Sequence, residues 1–147
     1  MNRRNALATL GLGTAMLSGI GALAAEPANP TATKAPAHPA PNDALAAAAS
    51  ACADKAEACL QHCLQMLGNG ETAFAACAEA VQDAIASSRS LATLAAAGSK
   101  HMKAFAKVCI DVCKDCETEC RKHAEKHPIC KECADACVKM IQECGKA

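Results

Sequence analysis

Apolar and thiol side chains recur at spacings of three, four and seven residues between residues 43 and 144. Such spacings place side chains on one face of an α-helix, which has about 3.6 residues per turn. No segment shows the alternation with a period of two that marks a half-buried strand. The pattern therefore predicts an all-α protein, with helices over residues 43–67, 71–97, 100–125 and 128–144.

Glycine, proline and polar capping residues divide this pattern into four helices. Asp43 and Ser99 stand where a side-chain oxygen can cap the first and the third helix. Residues 68–70 (Gly-Asn-Gly) and Gly98 end the first and the second helix, and Pro128 suits the first turn of the fourth. Because the loops are short, we expect an antiparallel up-down-up-down four-helix bundle.

Cysteine occupies many of the positions where a bundle would place Leu or Ile. The chain has 12 cysteines in 147 residues, two Phe, and no Trp or Tyr. The four cysteines of the third helix follow one another at offsets of four, three and four residues, so they fall on one stripe. The first and fourth helices carry similar stripes, and the second helix carries one cysteine. We therefore expect a Cys-lined core, formed by Cys52, Cys59, Cys63, Cys77, Cys109, Cys113, Cys116, Cys120, Cys130, Cys133, Cys137 and Cys144.

The antiparallel order separates two ends of this core. At the cysteine-rich end, Met66 continues the stripe of the first helix and His123 continues that of the third, so both are candidate entrance ligands for a metal ion. His62, about 80° off its stripe, is a third candidate, and His127 lies near the same rim. The other end is apolar, and its side chains, the methionines included, are expected to serve packing: Leu45, Ile85, Leu91, Leu94, Met102, Phe105, Met140 and Ile141.

Three kinds of site could use so many inward cysteines, and the first is structural. Cysteine can act as buried apolar filler or form disulfide staples, which small domains often need. Within one helix, neighbours three or four residues apart hold their Cβ atoms about 5–6 Å apart, whereas a disulfide needs about 3.5–4.5 Å. A bundle stapled by disulfides between helices remains an alternative.

The second kind is a zinc or iron–sulfur site. Zinc usually takes four thiolates in a tetrahedral array, and iron–sulfur clusters usually use closely spaced loop cysteines. Here the cysteines lie mid-helix in long files. Three Zn²⁺ ions among twelve thiolates would also leave a buried charge of about −6, which a low-dielectric core resists. Zinc binding remains an alternative that charge disfavours.

The third kind is a set of Cu(I) sites, because soft thiolate and thioether ligands select this ion. An ion held between two sulfurs separates them by about 4.5 Å, from metal–sulfur bonds of about 2.3 Å. Twelve Cu⁺ ions with twelve thiolates are neutral, so we expect about one Cu(I) per cysteine, with release of about one proton for each. The pairs at matching helical spacing are Cys59/Cys63, Cys109/Cys113, Cys116/Cys120 and Cys133/Cys137.

The N-terminus predicts an export signal. Arg3 and Arg4 precede an apolar run that ends in an A-x-A cleavage site, so residues 1–25 are expected to be removed. The arginine pair resembles a twin-arginine motif, which would deliver the protein folded to the periplasm and protect its thiols from random pairing. Residues 26–42 hold five of the six prolines and predict a disordered linker. The bundle domain is expected over residues 43–147.

Charge and motifs exclude several other functions. The formal net charge is zero and no basic patch suits nucleic acid, and no membrane span is expected after signal cleavage. No Ser/His/Asp set, phosphate-binding loop or paired-carboxylate cleft stands out. A thiol oxidoreductase would need an exposed cysteine of low pKa, whereas these cysteines are expected to be buried. We therefore expect no enzymatic activity.

The cysteine pattern resembles that of the four-helix-bundle copper storage proteins of bacteria. The resemblance covers residues 43–145 and is carried by the C-x₃-C pairs, the Cys52–Cys59–Cys63 stripe and the cysteines after His127-Pro128. It implies many Cu(I) ions in each bundle and a tetramer of bundles. It also implies a copper-enzyme client, which in methane oxidisers is the particulate methane monooxygenase. The sequence leaves open whether storage serves supply or detoxification.

Overall fold

Four α-helices and one short 3₁₀ helix make up residues 42–147, the part of the chain that the computed structural model describes. No strand occurs among these residues, so the all-α prediction is confirmed. The predicted export signal, and all but the last residue of the predicted linker, lie outside the described residues. The helices are α1 (Asp43–Gly68), α2 (Ala75–Ala96), α3 (Met102–Arg121) and α4 (Pro128–Cys144), and the 3₁₀ helix (Thr72–Phe74) precedes α2.

Each helix packs against two neighbours. α1 contacts α2 and α4, and α3 contacts the same two helices. Inward residues of all four helices join one core, so the predicted four-helix bundle is confirmed. The sulfur atoms of Cys52 and Cys137 lie 3.8 Å apart, as do those of Cys59 and Cys130, so residue numbers rise along α1 where they fall along α4. These pairs favour the antiparallel order, which for the four helices together stays a prediction.

Two predicted helix caps differ in the structure. Asn42 is the N-cap of α1, and Asp43 is its first helical residue, where a carboxylate favours the positive end of the helix dipole. His101 is the N-cap of α3, and its backbone N–H donates to Ser99 Oγ at 3.2 Å. Ser99 therefore stabilises the turn before α3 and does not cap the helix.

The second and third helices are shorter than predicted because their ends tighten. The 3₁₀ helix takes the place of the expected first turn of α2, and Gly70 precedes it with φ 88°, a left-handed conformation that suits glycine. At the end of α3, the amide of His123 bonds only three residues back, to Cys120 O at 3.1 Å. α3 therefore ends at Arg121, and residues 122–127 form the turn into α4.

Alanine and cysteine fill most of the core, with a few large side chains among them. Ile85, predicted to face inward, is only half-buried, because Ala84 and Ser88 occupy the fully buried positions on that part of α2. Small residues at helix contacts let helix axes approach closely. The largest fully buried side chains that are not cysteine are Phe74, Val81, Leu91 and Met140.

Charged side chains lie on the outside of the bundle. Lys55 pairs with Glu132 at 2.7 Å and joins α1 to α4, and Arg121 pairs with Asp135 at 2.8 Å and joins α3 to α4. These partners are all exposed, so each pair contributes little to stability. Within residues 42–147 no helix is both long enough and apolar enough to span a membrane.

Leu91→Ala should destabilise the metal-free bundle by about 2–5 kcal/mol, because it leaves a cavity at a fully buried position. Leu64→Ala is the matched control, since Leu64 is 51% exposed and the same truncation there should cost about 0.5 kcal/mol or less. Urea unfolding of the reduced protein, followed by circular dichroism, measures both variants. Equal losses in the two variants would contradict the described packing.

Candidate metal centre

Every cysteine of the chain lies inside the bundle as a free thiol. Eleven have no exposed surface, and Cys144 is 6% exposed. Cysteines spaced three, four or seven residues apart share the inward face of their helix, so the sequence pattern explains this placement. The structure therefore has the Cys-lined core that the sequence predicts.

The thiols nearest the turn between α1 and α2 are in mutual contact. Cys63 Sγ lies 3.6 Å from Cys77 Sγ, which lies 3.7 Å from Cys120 Sγ. Cys59 Sγ lies 3.9 Å from Cys120 Sγ and 3.8 Å from Cys130 Sγ. All four helices thus contribute sulfur atoms to this part of the core.

The sulfur contacts continue along the bundle. Cys116 Sγ lies 4.0 Å from Cys120 Sγ and 3.8 Å from Cys133 Sγ. Two groups, each with its sulfurs within 4.8 Å of one another, extend these contacts: Cys116/Cys133/Cys137 and Cys52/Cys113/Cys137. Ten cysteines are therefore connected in one set, the thiol network, made of Cys52, Cys59, Cys63, Cys77, Cys113, Cys116, Cys120, Cys130, Cys133 and Cys137.

Two cysteines stand outside the thiol network. The Cys109 thiol donates to the backbone carbonyl oxygen of Ser87 at 3.6 Å, and Cys144 lies in the last turn of α4. Of the four predicted intrahelical pairs, Cys109/Cys113 is not among the sulfur groups of residues 42–147, whereas the other three are close in space. Sulfur contacts between helices are as short as those within a helix, so neighbouring helices can share sites.

The sulfur separations in the network suit a soft metal ion. Contacts run from 3.6 to 4.0 Å. An ion bonded to three sulfurs at about 2.3 Å holds them about 4.0 Å apart, and an ion between two sulfurs holds them about 4.5 Å apart. Metal binding therefore needs only small shifts of the side chains.

No positively charged side chain is buried beside the thiol network in the described part of the chain. The buried polar residues there are Ser87 and Ser88, and the ion pairs lie on the outer faces. A cysteine in this core must therefore keep its proton, or its thiolate must bind a metal ion or accept hydrogen bonds from other thiols.

Three histidines and a phenylalanine, named the histidine rim, lie beside one another: His62, Phe74, His123 and His127. Each stands one or three residues from a cysteine of the thiol network. His62 Nε2 lies 2.9 Å from His127 Nδ1, so one ring donates a hydrogen bond to the other. Phe74 stacks on His123, with ring centres 4.0 Å apart, and meets His62 and His127 edge-on.

The histidine rim contains two of the three predicted entrance ligands, His62 and His123. His123 Nε2 is buried and has no hydrogen-bond partner among the described residues, which leaves its lone pair or N–H unused. A cavity of about 230 Å³ opens beside His123, His127 and Phe74. The third candidate, Met66, is half-buried and packs against the core. The contact of Phe74 with all three histidines was not predicted from the sequence.

Met140 contacts the thiol network, although the sequence places it with the packing residues of the apolar end. Its Sδ lies 3.7 Å from Cys113 Sγ and accepts a hydrogen bond from Ser88 Oγ at 3.3 Å. Met140 follows Cys137 by three residues, so the two share one stripe of α4. Ser88 was not singled out from the sequence, because a serine on the inner face of α2 interrupts the apolar pattern without a recognisable motif.

A model of the family described as Copper storage protein matches residues 38–147. The chain belongs to the copper storage protein family. The matched range includes all twelve cysteines and the histidine rim, so the resemblance drawn from the cysteine pattern is confirmed. Comparison with curated proteins gave no match.

Thiols of the network in this copper storage family member stabilise one another's charge. Hydrogen bonds from Cys113 and Cys137 lower the pKa of Cys52 below its usual value, and burial opposes them. A hydrogen bond to Cys120, followed by one to Cys130, raises the pKa of Cys59. Acceptor and donor thiols thus differ, and the network can hold a thiolate that neighbouring S–H groups stabilise.

The pKa values of the two cysteines outside the network are raised, mainly by burial. Burial raises the pKa of Cys109 to about 12 and that of Cys144 to about 11. Desolvation disfavours the thiolate, and these two sulfurs lack the thiol donors that surround the network. A metal ion that binds at Cys109 or Cys144 must therefore displace a proton.

Cys109→Ala should flatten the fall of stability at high pH. The unfolded chain releases this proton near 9.0, whereas the folded protein keeps it to about 12, so the folded state binds more protons above pH 9 and its stability falls as the pH rises. Without this thiol the fall should lessen by up to about 1.4 kcal/mol per pH unit. Anaerobic urea unfolding between pH 8 and pH 11 measures the free energy of unfolding. The control Val108→Ala, at an exposed neighbouring position, should keep the parent's dependence of this free energy on pH.

Proposed function

We propose that this protein stores Cu(I), at about one ion per cysteine, by thiolate coordination inside the bundle. The observation that carries the proposal is the continuous network of ten buried thiols drawn from all four helices. Soft thiolates favour Cu(I), and each sulfur in a continuous network can bridge two ions. Membership of the copper storage protein family supports the same conclusion.

The absence of buried cations near the network favours a monovalent ion. Each Cu⁺ that displaces one proton leaves the core neutral, so filling can continue to about one ion per thiol. Zn²⁺ with four thiolates leaves a charge of about −2 at each site, and no Lys or Arg among the described residues is buried to offset it. Each further zinc site therefore adds buried negative charge, whereas each further Cu(I) ion adds none.

Capacity separates storage from the other functions that a copper-binding protein could have. A copper carrier needs a single site, whereas ten connected sulfurs offer many. A thiol oxidoreductase needs an exposed reactive cysteine, and every cysteine here is buried. We therefore propose a non-enzymatic role.

Copper is proposed to enter and leave at the histidine rim. The ring nitrogens of His62 and His123 lie beside the cysteine-rich end, and Met66 offers a thioether on the same end of α1. Imidazole and thioether are neutral ligands for copper. They can therefore bind an incoming ion without releasing a proton. The ion can then pass to Cys63, Cys77 or Cys120.

The cellular setting is proposed from the sequence. The predicted N-terminal signal supports export to the periplasm, in the folded state and by the twin-arginine route. Family resemblance favours a homotetramer and a copper-enzyme client. Storage could there serve supply, detoxification or both, because each uses the same capacity.

Anaerobic titration of the reduced protein with Cu(I) tests the stored amount. We expect about twelve ions per chain, because each thiolate then has one balancing cation. One or two ions would indicate a carrier, and six would indicate isolated two-cysteine sites. Few free thiols in metal-free protein taken from the periplasm would favour the disulfide alternative, and preferential filling with Zn²⁺ would favour the zinc alternative.

Two alanine variants provide the matched control for this titration. Cys133 belongs to two of the sulfur groups, whereas Cys144 belongs to none. Cys133→Ala should therefore reduce the number of bound ions by more than one, and Cys144→Ala by one at most. Equal losses would indicate that the network has no special role in binding.

Variants of the entrance ligands should load more slowly but reach the same capacity. His123→Phe keeps a ring to stack on Phe74 and removes both nitrogens, and Met66→Leu removes the sulfur. Uptake of Cu(I) from a chelator, followed by stopped-flow absorbance, should be several-fold slower in each. His101→Phe, at an exposed histidine away from the rim, should load at the parent rate. A large drop in final capacity would mean that these residues store ions instead of admitting them.

A further inference from the structure

Met140 is a buried thioether whose sulfur faces thiols. The side chain has no exposed surface, and its Sδ lies 3.7 Å from Cys113 Sγ. Cys113 in turn lies within 4.8 Å of the sulfurs of Cys52 and Cys137. The thioether lone pairs therefore point to the inner end of the thiol network, the end farther from the histidine rim.

We propose that Met140 is a Cu(I) ligand that shares an ion with Cys113 at the inner end of the thiol network. The inference rests on the proposed storage of Cu(I). It adds a neutral thioether to the buried storage ligands, which otherwise are cysteine thiolates. It also gives a binding role to a residue that the sequence pattern assigns to packing.

The charge balance of the core explains why a thioether suits this position. Every thiolate in the core must be balanced by a proton or by a cation. A thioether is soft enough to bind Cu(I), and it completes the coordination of the ion at Cys113 without adding charge.

The binding step conserves charge and leaves the copper in its oxidation state. The S–H bond of Cys113 breaks, its proton passes to water, and a Cu–S bond forms. Met140 donates a lone pair and loses no proton. The Ser88 hydroxyl, which donates to Met140 Sδ in the metal-free protein, is then free to donate to the Cys52 thiolate, with which it also interacts.

Met102 offers a matched comparison within the same chain. It is also a buried methionine, 5% exposed, and it lies in the first turn of α3 as part of the apolar core. Leu fills about the same volume as Met, so Met→Leu changes at both sites should be tolerated by packing. A copper effect seen at Met140 and not at Met102 would therefore report ligation.

Selenium absorption spectroscopy tests the proposed bond directly. The full chain is labelled with selenomethionine in a variant with Met16→Leu, Met66→Leu and Met102→Leu, which leaves Met140 and the initiator as the labelled positions. After anaerobic loading with Cu(I), we expect copper in the first shell of selenium at bonding distance. The same chain with Met140→Leu added should lose this copper shell.

A copper count provides the second test. Under competition with a Cu(I) chelator, Met140→Leu should retain about one ion fewer per chain than the parent, and Met102→Leu should retain the parent number. Absence of copper around selenium, or an equal count in the two variants, would overturn the inference. If the parent itself bound only one or two ions, the proposed storage function would fail instead, so the two failures are distinguishable.

Discussion

Sulfur atoms that are removed from water without a buried cation must remain close to neutral, and the rest of the structure depends on this constraint. Without copper, protons neutralise most of the thiol network, and S–H donors stabilise a thiolate that forms within it. In the proposed loaded protein, monovalent copper replaces those protons one for one. The same core can therefore exist empty or full without a large change in buried charge, which suits a store better than a divalent ion would.

The bundle provides the density of sulfur that such an exchange needs. A helix returns a side chain to the same face every three or four residues, so one helix supplies a file of cysteines whose Cβ atoms lie about 5–6 Å apart. Interhelical packing then brings files together, and alanines such as Ala49, Ala56 and Ala134, all fully buried, keep the helices close. The shortest sulfur contact, Cys63 to Cys77 at 3.6 Å, joins two helices and could not come from one alone.

The sequence predicts the fold and the inward orientation of the cysteine side chains, because both depend on local periodicity. The outcome for α4, Pro128–Cys144, matches the predicted range, since Pro and Gly mark its ends. Which thiols meet depends on the register between helices, and periodicity within one helix carries no information about it. The same limitation hides the contacts of Phe74 with the histidines and of Ser88 with Met140. The predicted N-caps of α1 and α3 were also wrong, because several polar residues near the start of each helix could act as the N-cap.

The two ends of the core differ in ligand chemistry, and this difference gives the proposed store a direction. At the histidine rim, imidazole nitrogens are weaker partners for Cu(I) than thiolates, so an ion bound there can move on to sulfur. At the opposite end, Leu45, Leu91 and Met102 pack in the apolar core, and the cavity beside Leu45 has no Cys, His or Met in its lining among the described residues. An ion crossing that end would have to lose its ligands among apolar side chains, at a high desolvation cost. Filling and release are therefore both expected to proceed through the rim, so that the ions bound last leave first.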